Sequence, residues 1–214
     1  MSIADLPRGG VTIEGMQGLT KSEIRTLRRL DTPLKIQKFL DALDYNHADT
    51  TYSPRNVLRY RRAHCLEGAA FAAAALRLSG RPPLILDLEA VQDTDHVLAV
   101  FQEGGAWGSI GRSNFSGLRY RPPVYRSLRE LALSYFTDYV NFRGDRTLRT
   151  FSRPVNLARF DRLQWMSCEK DIWFIAEYLC EIPHTRLLTP RQERELTRVD
   201  KRDLAAAMYG MSHK

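Results

Sequence analysis

Residues 59–80 read RYRRAHCLEGAAFAAAALRLSG. A basic, extended approach gives way at Cys65 to an alanine-filled run that Gly80 and Arg81-Pro82-Pro83 stop. The pattern predicts a helix from about Cys65 to Ser79. So many alanines make a slim helix, suited to close packing near the middle of a domain. A thiol in its first turn meets unpaired backbone N–H groups and the positive end of the helix dipole, and both favour the anion. Further on, DTDHVLAVF (93–101) opens an apolar strand with His96. Alone, Cys65 reads as a core residue and His96 as a strand-end histidine with a satisfied hydrogen bond. Together they form a candidate nucleophile and general base.

Working outward, residues 1–18 carry four glycines and no periodicity, which predicts a loose arm. Thr20 with Glu23 makes a capping box for a first helix. Thr32-Pro33 and Ser53-Pro54 each pair an N-cap residue with proline at the first helical position, predicting two more. Leu34, Phe39, Leu40 and Leu43 would form the apolar face of the first of these two. Three strands are expected at Leu84–Val91, His96–Phe101 and Ala106–Ile110, the last two as a hairpin around Gly104-Gly105. Leu118–Arg121 is read as a further short strand and Ser127–Val140 as a helix. Thr147–Val155 is read as extended, Asp171–Cys180 as a buried helix, and Pro190–Met208 as one charged helix or two. The simplest architecture is one α+β domain over 1–214, with a core at about 34–140 and a helical extension from about 141.

The composition excludes several classes. At 43% hydrophobic and 27% charged, the chain reads as globular, and no apolar run approaches the length of a membrane span. The start lacks the basic and apolar regions of a secretory signal, so the cytoplasm is the expected location. Three widely spaced cysteines are not a disulfide framework, and Cys168 and Cys180 read as small buried hydrophobes. No cysteine or histidine spacing suggests zinc, and no cofactor is expected. The net charge of +7 comes mostly from arginine, 26 against six lysines. Without a nucleic-acid module it reads as a solvated basic surface, so nucleic acid is not an expected partner.

AHCLEGA followed by DHVLAVF, then a glycine turn and Trp107-Gly108, resembles the transglutaminase-like branch of the papain-like cysteine enzymes. The resemblance covers about residues 34–125. It implies a Cys-bearing helix packed on an antiparallel sheet, and a Cys65 thioester formed from an amide or ester carbonyl. It also implies His96 as base and then acid, with an Asp or Asn on the following strand. The family includes protein-crosslinking enzymes, peptidases, deamidases and peptide amidases, so the implied substrate is a peptide, a protein or a small amide or ester. Two departures stand out: Ala63-His64 replaces the usual glycine, and no aspartate follows Trp107.

With a Gly104-Gly105 turn, Glu103 pairs with Ala106 and His96 faces Ser113. With a Glu103-Gly104 turn, His96 faces Gly111, with Ser109 and Ser113 diagonal. Asn114 has the wrong parity in both, and a three-residue Glu103–Gly105 loop or a bulge brings it within diagonal reach. An amide oxygen can hold the Nδ1–H of a histidine, as the resemblance implies, and a hydroxyl does so less well, so Asn114 is the favoured third catalytic residue and Ser113 the second choice. Asp95 would point away from His96 on a regular strand. His64 is expected to shape the thiol's surroundings, whereas His47, His184 and His213 are expected to have no catalytic part. Cys65's own N–H, with Tyr45, Asn46 or Asn56, could face an oxyanion. Two other functions stay open: an inactive scaffold with this fold, and a basic nucleic-acid-associated protein.

Overall fold

The computed structural model of the protein describes residues 18–212. The expected arm at 1–18 therefore lies, except for Gly18, outside the described residues, as does His213. The fold is α+β. Three helices, α1 (Lys21–Arg29), α2 (Pro33–Asp41) and α3 (Pro54–Tyr60), precede the long α4 (Cys65–Leu78). Thr20, Thr32 and Ser53 cap the first three as their sequences predict, and Glu23 closes its box on Thr20. Two short strands, β1 (Asp44–Tyr45) and β2 (Arg62–Ala63), pair in parallel and bring Tyr45 beside the entry to α4.

The sheet contains β3 (Leu84–Ala90), β4 (His96–Glu103), β5 (Ala106–Ile110), β6 (Arg121–Tyr125), β7 (Leu148–Ser152), β8 (Val155–Asn156) and β9 (His184–Arg186). Its order is β6-β5-β4-β3-β7-β9, with β8 also on β3, and every pair is antiparallel. Alternation along the strands splits the core in two. Ile85, Val97, Ala99, Phe101 and Ile110 join the alanines of α4 in one cluster. Leu84, Leu86, Leu88, Leu98 and Val100 lie in the other, with Leu131, Tyr135 and Tyr139. Both faces are covered, which is why β3 and β4 read as almost unbroken apolar runs. α4 packs on β4 and β3 and against α1, α2 and α3, and its alanines allow that close approach.

Several expectations are corrected. The strand expected at Leu118–Arg121 runs instead over Arg121–Tyr125, with Pro122 and Pro123 inside it. It lies at the sheet edge, where a missing N–H costs least. The helix expected over Ser127–Val140 is only α5 (Leu128–Leu133), capped by Ser127. Beyond it the Ser134 hydroxyl bonds back to the Leu131 carbonyl at 2.6 Å and the chain tightens into i→i−3 turns. Tyr135 and Tyr139 then reach the carbonyls of Arg119 and Thr94. Leu34 is exposed, and α2 buries Pro33, Ile36, Gln37 and Leu40 instead. In α6 (Trp173–Glu181) Ile175 and Leu179 face inward, which leaves Cys180 exposed; Cys168 is only partly buried. After a 3-10 turn at Leu157–Leu163 and α6, two short charged helices follow, α7 (Pro190–Arg194) and α8 (Lys201–Ala207).

Candidate active site

Cys65 is the first residue of α4, and His64 is its N-cap. The first intrahelical bond runs from Gly68 N to the His64 carbonyl at 2.9 Å, so the N–H groups of Cys65, Leu66 and Glu67 have no acceptor within the helix. Glu67 fixes this helix start. Its fully buried carboxylate accepts from the His64 N–H at 2.9 Å, from Asn46 Nδ2 at 3.0 Å, and from Thr50 Oγ1 and the Tyr52 N–H at 2.8 Å. The loop of residues 46–52 is thereby tied to the base of the thiol. Asn46, a candidate oxyanion donor by sequence, is occupied in this network. Asn56 is likewise committed, to the Glu169 carbonyl.

Two imidazoles act on Cys65. Burial alone would raise its pKa, but His64 and His96 together bring the thiol well below its ordinary value. His64 Nε2 lies 2.6 Å from the Thr50 carbonyl and 3.5 Å from Glu67 Oε1. Its own burial opposes the charged form. The Cys65 thiolate, Glu67 and the Thr50 carbonyl outweigh that and push its pKa up to about 9. The raised pKa of His64 and the lowered one of Cys65 favour the charged form of both groups.

His96 opens β4 and is buried. Its Nε2 lies 2.9 Å from the Leu118 carbonyl. A carbonyl only accepts, so Nε2 carries the proton and Nδ1 is the nitrogen free for the thiol. The rings of Tyr135 and Tyr139 stand edge-on to His96 at 6.5 and 6.4 Å and limit its tilt.

The place expected for Asn114 is therefore taken by main chain. Asn114 is not bonded to His96: its Nδ2 donates to the Ser212 carbonyl at 2.9 Å, and its Oδ1 accepts the Ser212 N–H at 2.9 Å. The Ser113 hydroxyl accepts from the Phe115 N–H at 3.0 Å. β5 ends at Ile110, and the chain loops back so that Leu118, not a side chain of a continued strand, meets the ring. The residue beside that contact is Gly111. A β-carbon there would lie 3.0 Å from the Leu118 oxygen and 3.3 Å from His96 Nε2. Asp95 directs its carboxylate to the Ala90 N–H at 2.9 Å, away from the ring as alternation requires, while its carbonyl lies 3.8 Å from Cys65 Sγ.

A cavity of about 530 Å³ opens on the thiol. Cys65, His96, Tyr45, Leu118, Tyr139 and Phe142 are among the residues lining it. His96 lines it, whereas His64 is not among its lining residues. Tyr45 is the only one of the three upstream oxyanion candidates at this wall. Burial, together with the Cys65 charge, pushes its pKa up to about 12, so its hydroxyl stays a neutral donor. Arg112 lies over the Tyr45 ring at 5.5 Å and bonds the Leu43 carbonyl at 2.8 Å, which steadies the strand that carries it. The site thus combines a thiol whose pKa is held well below its ordinary value, an imidazole facing open space, and backbone donors at the helix start.

His47 also lines the cavity, through a 3.0 Å contact with the Ser212 hydroxyl. His184 lies elsewhere, 3.3 Å from the buried Asp87. Among the described residues no group of three or more His, Cys, Asp or Glu is placed to hold a metal ion, and no helix is long and apolar enough to cross a membrane. The chain matches no protein-family model and no curated protein.

Proposed function

We propose that the protein is a cysteine-nucleophile enzyme of the transglutaminase-like class, acting on an amide or ester carbonyl. One observation carries this reading. The Cys65 thiol sits on the first turn of a buried helix, held low by two histidines, of which one faces a cavity and is oriented by a carbonyl on its far nitrogen. A cysteine used only for packing would gain nothing from such surroundings. The antiparallel sheet against the cysteine helix is the arrangement expected of a papain-like core.

In this mechanism the Cys65 thiolate attacks the carbonyl carbon. The resulting oxyanion accepts from the Cys65 N–H and the Tyr45 hydroxyl. His96, protonated at Nδ1, delivers that proton to the leaving amine or alcohol as the tetrahedral intermediate collapses to a thioester. Water or an amine then attacks the thioester, His96 takes its proton, and the thiolate leaves. His64 stabilises the sulfur's charge before attack and again as the thiolate leaves.

The test is alkylation of Cys65 by iodoacetamide across pH, in the wild type and in His64→Gln and His96→Ala. The wild type should react with a midpoint well below about 8.5, the ordinary thiol value, and each substitution should raise that midpoint. A wild-type midpoint near the ordinary value, unmoved by either change, would defeat the reading. A second reading, an inactive scaffold, draws on the neutral Leu118 carbonyl at His96, which stabilises an imidazolium less than a carboxylate does. It requires that an activated thiol form no acyl-enzyme with any ester or amide offered.

A further inference from the structure

The chain's own C-terminal segment lies in the cavity that opens on Cys65. Met211 and Ser212 line it together with Cys65, His96 and Asn114. Ser212 is held there by its main chain and its hydroxyl. Asn114 Nδ2 donates to its carbonyl and Asn114 Oδ1 accepts its N–H, both at 2.9 Å, while the Ser212 hydroxyl reaches Asn114 Oδ1 at 3.2 Å and His47 Nε2 at 3.0 Å. One side-chain amide thus closes a two-bond ring on the backbone of one residue, as a neighbouring β-strand would. The two main-chain bonds of that contact suit any extended peptide whatever its side chain, and the Ser212 hydroxyl adds to them.

Among the described residues the same device recurs at Gln37. Gln37 pairs with the N–H and C=O of Gly111 at 3.1 and 2.9 Å, but that pair is buried and structural. The Asn114 pair stands at the rim of an open cavity. The segment it holds is weakly anchored: α8 buries no residue, and its end is tied down by the Ser116 N–H and hydroxyl on the carbonyls of Ala207 and Ala206. Tyr209, next to it, is 82% exposed. A segment held by a few exposed hydrogen bonds opens at low free-energy cost.

We propose that Asn114 is a peptide-backbone clamp of the active site, that the substrate is an extended polypeptide segment, and that Met211–Ser212 occupies the clamp in cis as a competing strap. The inference rests on Cys65 being the nucleophile of the proposed reaction. Asn114, which does not bind His96, thus acquires a role in binding substrate. Phe115 and Phe142, whose rings are 5.6 Å apart on the cavity wall, offer apolar surface to the side chains of the bound peptide.

The test compares two alkylating reagents on the full chain. One is an N-acetylated dipeptidyl chloromethyl ketone ending in phenylalanine. The other is chloroacetone, which carries the same reactive group without the peptide. In both reactions the Cys65 sulfur displaces chloride, so the ratio of the two rates cancels the thiolate fraction. Ser212→Pro removes the N–H and the hydroxyl of the strap. It should raise the ratio about tenfold, the effect of one or two net hydrogen bonds. Adding Asn114→Ala, or the isosteric Asn114→Asp, to Ser212→Pro should bring the ratio back to the wild-type level. A ratio unchanged by Ser212→Pro would overturn the strap, and a ratio that stays high after loss of Asn114 would overturn the clamp. A thiol of ordinary pKa slows both reagents together and leaves the ratio readable, so failure of the catalytic reading shows in the pH profile and not here.

Discussion

Gly111→Ala tests whether a main-chain carbonyl does for His96 what a side chain was expected to do. The added β-carbon would lie 2.7 Å from Leu98 Cδ2, 3.0 Å from the Leu118 oxygen and 3.3 Å from His96 Nε2. The last two are the ends of the 2.9 Å hydrogen bond that orients the ring. Gly111 cannot retreat, because Gln37 holds its N–H and C=O. Leu98 is fully buried, so the displacement is shared among its side chain, His96 and the Leu118 carbonyl. A hydrogen bond to a group that becomes charged is worth about 1.5–3 kcal/mol, or roughly ten- to 150-fold in rate. Overpacking should also cost about 1–3 kcal/mol of stability. The assays are turnover of p-nitrophenyl acetate, the pH profile of Cys65 alkylation, and urea unfolding. Turnover should fall by that factor, and the alkylation midpoint should rise only part of the way to the ordinary thiol value, since His64 remains. A folded variant with the expected loss of stability, turnover within about twofold of wild type and an unmoved midpoint would refute the orienting role of Leu118.

Three further changes separate the parts of the site. His64→Gln should raise the Cys65 midpoint yet leave the leaving-group step with His96. Because His64 has its folded pKa raised to about 9, its contribution to stability is full below the unfolded value of about 6.5 and is lost as pH rises through about 9. The stability gap between wild type and His64→Gln should therefore close over that window, as measured by urea unfolding. Tyr45→Phe should lower turnover of p-nitrophenyl acetate about 10²-fold, the effect of one oxyanion donor, with little change in alkylation rate; equal turnover would remove Tyr45 from the mechanism. Glu67→Ala strands the Asn46, Thr50, Tyr52 and His64 donors and should cost about 3–5 kcal/mol in chemical denaturation, with Glu67→Gln costing less.

Much of the fold was legible because its signals are local. Thr20, Thr32 and Ser53 each cap a helix where a short polar side chain precedes a good helix start. The Glu103-Gly104-Gly105 turn announced the hairpin and left its register open. The structure selects the Gly104-Gly105 turn, where both glycines have positive φ, at 58° and 81°, and Glu103 pairs with Ala106. The failures lie where tertiary contacts override local preference. Pro122 and Pro123 argue against a strand until β6 is seen to be an edge, and edge position is a property of the whole sheet. The end of α5 depends on partners for Tyr135 and Tyr139 that are distant in sequence.

The site divides along the same line. Cys65 and His96 announce themselves by residue type and by position at element boundaries. His64 and Glu67 carried a fainter signal, a polar N-cap with glutamate three residues on, which is the spacing of a capping box. The group that orients His96 carried no signal, because it is a carbonyl and every residue has one. What the sequence does record is the room made for it. A side chain at position 111 would press on both His96 and the Leu118 oxygen, and position 111 is glycine. The missing aspartate after Trp107 is therefore weak evidence against catalysis. A carbonyl can orient the ring through Nε2–H, and the imidazolium charge is balanced by the thiolate it serves. The cost of omitting a bonded carboxylate falls on the stage after the thioester has formed, when the sulfur is neutral. His96 must then hold a proton with no carboxylate bonded to its ring, Asp93 and Asp95 being placed only in the wall of the same cavity. Deacylation is accordingly the step at which this site should be slowest.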